Sequence, residues 1–295
     1  MQQITTGCDL PESYNLNLSN FALFLSVMKN KRAYECLLSI IMNEDSFQLQ
    51  EVKVEQVVLN KIGKRAIRLD AWAVDTSNRQ FNTEMQNDTN HDDIRKRSRY
   101  YQGLLDSPVL KSGKNIRYKY LPSTVIIFIT QEDIFSQGLA MYTFTEQCEE
   151  IQGLHLEDGT KKIFLNMNSK KGRPELISLL QYIKKSELKN PEIIVEDERI
   201  VTLDRIVQEV KQSEEWEGVK MDLIEFGVAR GEEKQIIIQV CKKLRKGKPI
   251  QVIAAELEEN EGTIQEISEA AEPFAPEYDY ADVYNAFQEK RNKKD

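Results

Sequence analysis

Apolar residues recur at three- and four-residue steps through "NFALFLSVMKNKRAYECLLSIIM", residues 20–42, where Phe24, Val27, Met28, Leu37, Leu38 and Ile41 predict a helix that also carries Glu35. The period then changes. "FQLQEVKVEQVVLN" is Val-rich and partly alternating, and "IRLDAWAVDTSNRQFNTEMQ", residues 67–86, alternates on both sides of a polar turn, so a three-stranded meander is expected. "DDIRKRSRYYQGLLD" returns to helical spacing, with Asp92 and Asp93 in the first turn, where carboxylates favour the positive end of the helix dipole. "STVIIFIT" is an uninterrupted β-branched and aromatic run of strand length, suited to a central strand buried on both faces, and "AMYTFTEQ" and "KKIFLNM" read as further strands.

From Pro191 the pattern becomes long helix, with Leu203, Ile206, Val207 and Val210, then Val219, Leu223 and Phe226, forming apolar stripes. Residues 196–235 hold twelve Asp and Glu against six Lys and Arg, which suits a solvated face. Pro249 then opens a short helical pair, "IQVIAAELEENEGTIQEISEAA", resembling a helix-turn-helix in length and turn placement. Its second helix offers Gln265, Glu266 and Glu269 where a DNA reader needs Arg or Lys, so packing or oligomerisation is the expected role. The expected division is a domain over 1–190 and an acidic helical extension over 191–295, whose apolar stripe makes a homo-oligomer an expectation.

Composition narrows the class. At 295 residues and 40% apolar content the chain is long enough for one main domain and an appendage. A net charge of −8 argues against an overall cationic coat but leaves room for a local basic patch. Cys8, Cys36, Cys148 and Cys241 are scattered, with no disulfide framework or zinc spacing, and neither an export signal nor an apolar run of membrane-spanning length is present. A soluble cytoplasmic protein with no membrane partner is expected. Phosphate-loop, dinucleotide and serine-hydrolase motifs are absent, and His91 beside Asp92 and Asp93 suits a helix start better than proton shuttling.

The hairpin carries the candidate chemistry. Alternation places Ile67, Leu69, Ala71 and Ala73 on one face and Asp70 on the other, while Glu84 and Gln86 oppose Phe81 and Met85. Asp70 joins Glu84 and Gln86 only if the connecting loop has an odd number of residues. A three-residue connection around Ser77, Asn78 and Arg79, with Asn78 left-handed, would set Asp70 opposite Gln86; a two-residue turn would set it opposite Met85. Carboxylates this close repel unless a cation lies between them, and hard oxygen ligands suit Mg²⁺ or Mn²⁺. Against this stands the plain reading that Asp and Glu on the open face of a hairpin are merely solvated. The following helix packs Arg95, Lys96, Arg97, Arg99, Tyr100 and Tyr101 into seven residues, a cluster that neutralises phosphates and stacks on bases.

Taken together, Glu35 on the first helix, "LD" at Asp70, "TEMQ" with Glu84 and Gln86, and "RKRSRYYQGLLDS" resemble the PD-(D/E)XK nuclease family transposases, over roughly residues 20–185. "LPSTVIIFITQEDIFSQGLAMY" and the tail "LRKGKPIQVIAAEL" add to the resemblance. It implies an α/β, restriction-endonuclease-like core, a mixed sheet flanked by helices, with a C-terminal helical extension. Asp70 and Glu84 would hold the metal, with Gln86 where the wider superfamily has Lys and Glu35 completing the site. Arg97, Arg99 and Tyr101 match the family's basic and tyrosine positions, and with Arg95 they would contact DNA phosphates without reading bases. The implied activity is Mg²⁺- or Mn²⁺-dependent hydrolysis of DNA with little sequence preference, linked to recombination or mobile elements. The rival is a catalytically silent descendant that binds partners, which neutral Gln86 keeps open.

Overall fold

A computed structural model describes residues 16–58, 67–87, 89, 93–107 and 117–292, with backbone alone at 222–232 and 292. His91 and Asp92 lie outside the described residues.

The apolar stretch at residues 20–42 forms two helices, α1 (Phe21–Met28) and α2 (Lys31–Met42). Asn30 explains the break: its side chain accepts hydrogen bonds from the Arg32 and Ala33 amides, capping a new helix as Asn20 caps the first. Strands β1 (Leu49–Val58), β2 (Ile67–Asp75) and β3 (Gln80–Gln86) make the expected antiparallel meander. After α3 (Ile94–Asp106), β4 (Thr124–Thr130) pairs in parallel with both β3 and β6 (Thr160–Asn166), and the short β5 (Met141–Phe144) closes the edge against β6. The result is a mixed six-stranded sheet, order β1-β2-β3-β4-β6-β5, in an α/β fold of restriction-endonuclease-like type. Every residue of β4 is buried, as its continuous apolar run demands.

The hairpin turn has three residues, Thr76, Ser77 and Asn78, with Asn78 left-handed at φ 60°. Parity is odd, as expected, but the turn sits one residue earlier. Asp75 causes this: its carboxylate accepts from the amides of Ser77 (2.9 Å) and Arg79 (2.7 Å), an Asx-type closure. Arg79, which also forks onto Glu44 at 2.6 and 2.7 Å, then belongs to the strand side of the turn. The register therefore runs Val74 to Gln80 and Ala71 to Thr83, and its continuation sets Asp70 level with Glu84 rather than Gln86.

On one face of the sheet α3 contributes Ile94, Tyr101 and Leu105 to a cluster with Trp72, Ile126, Phe128 and Phe164. Helices α4 (Pro174–Lys184) and α5 (Glu198–Lys211) pack with α2. Helix α5 buries Ile200, Leu203, Ile206 and Val207, and the first compact unit runs to Trp216. The second unit begins at Glu217, inside α6 (Glu214–Leu244), and includes α7 (Ile250–Leu257), α8 (Glu261–Ala271) and α9 (Tyr280–Asn292). Its core joins Ile237, Val240, Ile253, Ile264 and Ile267 to Val283 and Phe287 of α9. Among the described residues no helix is long and apolar enough to cross a membrane.

Candidate active site

The β2–β3 ladder passes from backbone to side chains at the level of Asp70 and Glu84. The Asp70 amide donates to Glu84 Oε1 at 3.1 Å, and the Met85 amide donates to Asp70 Oδ2 at 3.0 Å. Side-chain carboxylates thus act as the acceptors between the strands just beyond Ala71 and Thr83, where the backbone pairing of β2 with β3 ends. Neither is solvated: Asp70 is 7% exposed and Glu84 0%. Asn82, two residues along the same face of β3, donates from Nδ2 to Glu84 Oε1 at 3.0 Å.

Burying two anions in contact is unfavourable, and their protonation shows it. Burial, then the charge of Glu84, pushes the Asp70 carboxyl up to about 7. Burial also raises Glu84, against the opposing pull of Arg97. Arg97 is the local counter-charge, donating from one guanidinium nitrogen to Glu84 Oε2 at 2.8 Å, from the other to Gln86 Oε1 at 2.9 Å, and from Nε to the Tyr101 hydroxyl at 2.8 Å. Its plane lies 5.0 Å from the Tyr101 ring centre and 5.7 Å from that of Phe128, so aromatic faces hold it from behind. Burial and then the Glu84 charge lift Tyr101 to about 12, keeping it a neutral donor.

Asp70, Glu84, Gln86, Arg97 and Tyr101 therefore converge. Glu35 does not join them. Its Oε1 accepts from the Leu49 amide at 3.0 Å, and Leu49 pairs with Asp75, five residues from Asp70 or about 17 Å along the strand. Helix α2 reaches the site through the preceding residue instead: the Tyr34 hydroxyl is 2.9 Å from both the Ala71 carbonyl and the Thr83 hydroxyl, each one residue from its strand's acid. Arg95 and Arg99 remain on the exposed side of α3, Arg95 steadied by Asp93 at 3.1 Å, while Arg97 and Tyr101 face inward. Asn82 and Tyr34 were not singled out in the sequence. The signal for Asn82 was its place two residues before Glu84 on the same strand face.

As a donor set for a divalent cation, the site offers two carboxylates and the Asn82 Oδ1 atom, which is buried and has no hydrogen-bond partner among the described residues. These hard oxygens fit Mg²⁺ or Mn²⁺, which use one or two protein carboxylates and keep their remaining positions for water and phosphate. With Asp70 and Glu84 ionised, Arg97 balances only one of the two charges. No group of three or more His, Cys, Asp or Glu side chains gathers as a metal site among the described residues, so a closed all-protein cage is not what this geometry offers.

A family model for the PD-(D/E)XK nuclease family transposases matches residues 20–217. Neither the curated proteins nor the solved structures yield a match.

Proposed function

This chain belongs to the PD-(D/E)XK nuclease family transposases, and from that premise we propose that it is a metal-dependent DNA endonuclease that hydrolyses phosphodiester bonds. The observation that carries the proposal is the pair of buried carboxylates, Asp70 and Glu84, bridging β2 and β3 where the ladder opens. They would hold Mg²⁺, with Mn²⁺ as substitute. Such an ion, when bound, supplies a Lewis acid for phosphoryl oxygens and lowers the pKa of water.

The chain's own residues do the rest. Arg97 brings a fixed positive charge to the acid pair from α3, so neutral Gln86 in the third motif position does not leave the site without a cation. The guanidinium stabilises the negative charge that gathers on phosphorus-bound oxygens during attack, and the Gln86 oxygen holds its second arm. Tyr101 and Phe128 keep that arm from swinging away. Arg95 and Arg99, exposed on α3, contact flanking phosphates, which carry no sequence information, so low sequence preference follows. We assign the activity to recombination or mobile-element processing in the cytoplasm. Cys36, Cys148 and Cys241, all unpaired, suit that reducing setting.

Supercoiled plasmid tests the proposal. Wild-type protein is expected to nick it with Mg²⁺ or Mn²⁺, to stop when EDTA removes the metal, and to lose the activity in Asp70→Ala. Cutting that persists unchanged in Asp70→Ala rejects the site. No cutting with either metal would leave the nuclease fold as a partner-binding module.

A further inference from the structure

One row of the sheet runs from the acid pair into a second site. In register, Glu84 on β3 lies beside Phe128 on β4, Phe128 beside Phe164 on β6, and Phe164 beside Tyr142 on β5. Two strand spacings separate Glu84 from Phe164, on the order of 10 Å. Phe164 is also a wall of a cavity of about 320 Å³ between α3 and the β5–β6 edge. That distance spans about three stacked nucleotides of one strand, and fewer if the strand is extended.

The cavity is built of ring faces. Phe135 packs against Phe144 with ring centres 4.9 Å apart and meets Phe164 edge-on at 5.3 Å. Phe144 stays 44% exposed although it sits in this cluster, leaving an aromatic surface open to a ligand. Arg95 and Lys162 supply two cations to the lining, while Glu146 supplies a single carboxylate. A cavity lined by aromatic rings with cations beside it fits a flat aromatic group joined to a phosphate.

Resting on the nuclease reading above, we infer that this cavity receives an unpaired nucleobase of the strand being cut, so that the preferred substrate is DNA with single-stranded or opened nucleotides beside the scissile phosphate. The base stacks on Phe144 and Phe135, and Arg95 and Lys162 take the adjoining phosphates. Glu146, facing the same space, offers an acceptor to an exocyclic amino group and turns the phosphate toward the cationic side. A fully paired duplex keeps its bases stacked on each other and cannot place one there without unpairing it. Stacking on ring faces also tolerates every base, in keeping with low sequence preference.

Binding without metal separates this inference from hydrolysis. With EDTA present, fluorescence anisotropy of the full chain is measured on a labelled single strand and on the blunt duplex of the same sequence, and 2-aminopurine in the strand reports stacking. The single strand is expected to bind about tenfold more tightly than the duplex. Phe144→Ala should remove most of that advantage and the 2-aminopurine quench while changing duplex affinity less than about twofold, and Phe144→Trp should retain both. A thermal melt confirms that Phe144→Ala folds; if it does not, Lys162→Ala with the same readouts takes its place. Equal binding of both DNA forms, or a Phe144→Ala loss shared equally by both, overturns the inference. So does a result in which dAMP binds at micromolar concentration through Phe144 while strand binding ignores that residue, since the cavity would then hold a free nucleotide. A chain that binds single strands through Phe144 yet never cuts would refute the nuclease reading and overturn the substrate assignment with it, leaving the cavity as a single-strand binding site only.

Discussion

Asp70→Asn is expected to melt at a higher temperature than the wild type at pH 8 while losing cleavage by about 10³-fold or more. In the metal-free fold, burial and the Glu84 charge hold the Asp70 carboxyl at about 7, far above its usual range. Between about pH 4 and about 7 the folded chain therefore binds a proton that the unfolded chain has released, and stability falls as pH rises through that window. The cost of ionising Asp70 above it is on the order of 2–4 kcal/mol, discounted for the partial relief that Arg97 supplies. Asparagine keeps an oxygen for the Met85 amide and adds a donor beside Glu84, so the variant removes the charge without breaking the bridge. The measurement is the difference in melting temperature between variant and wild type, without metal, across pH 5 to 8. It should be small at pH 5, grow to several degrees by about pH 7 and level off toward pH 8. A flat difference, or a variant that loses stability at every pH, would contradict it.

Arg97→Ala has the opposite sign. Glu84 is fully buried, and Arg97 is the cation paired with it at 2.8 Å, so truncation leaves a carboxylate without its counter-charge. The expected loss is about 3–5 kcal/mol, the range for breaking one partner of a buried pair, or roughly 10 °C in melting temperature. Glu84→Gln alone should cost much less, and the double substitution Glu84→Gln with Arg97→Ala should recover most of the stability that Arg97→Ala loses. A double-mutant cycle on chemical denaturation reads the coupling directly. Effects that simply add would show that Arg97 and Glu84 do not depend on each other, and the assignment of Arg97 as the site's fixed positive charge would go with them.

Much of this arrangement was written in local patterns. The β4 run "STVIIFIT" has no polar interruption, and it became the strand buried along its whole length. Alternation within β2 and β3 was enough to put Asp70 and Glu84 on one face once the loop was odd. Their level was not legible, because it turns on whether Asp75 acts as the last strand residue or as a turn-closing acceptor, and it does both, the first through its backbone and the second through its carboxylate.

Glu35 and Tyr34 show a second limit. Neighbours on a helix point about 100° apart, so the acid that looked chemical runs to the start of β1 and the tyrosine before it reaches the sheet. Arg97 was readable but misdirected. Ile94, Arg97, Ser98, Tyr101 and Leu105 follow three- and four-residue steps along one stripe of α3, which marks them as inward-facing. A basic cluster viewed only as charge hides that periodicity. The helical tail "EYDYADVYNAF" packs Val283 and Phe287 into the core of the second unit.

Titration of the intact wild-type chain with Mn²⁺, followed by calorimetry or by the loss of the free-ion paramagnetic signal, tests the central claim that Asp70 and Glu84 grip one divalent cation. One ion per chain is expected, bound with proton release at pH 6 as the raised Asp70 carboxyl ionises, and weakened at least about tenfold in both Asp70→Asn and Glu84→Gln. Mn²⁺ binding of the same stoichiometry and affinity in both variants would contradict the account.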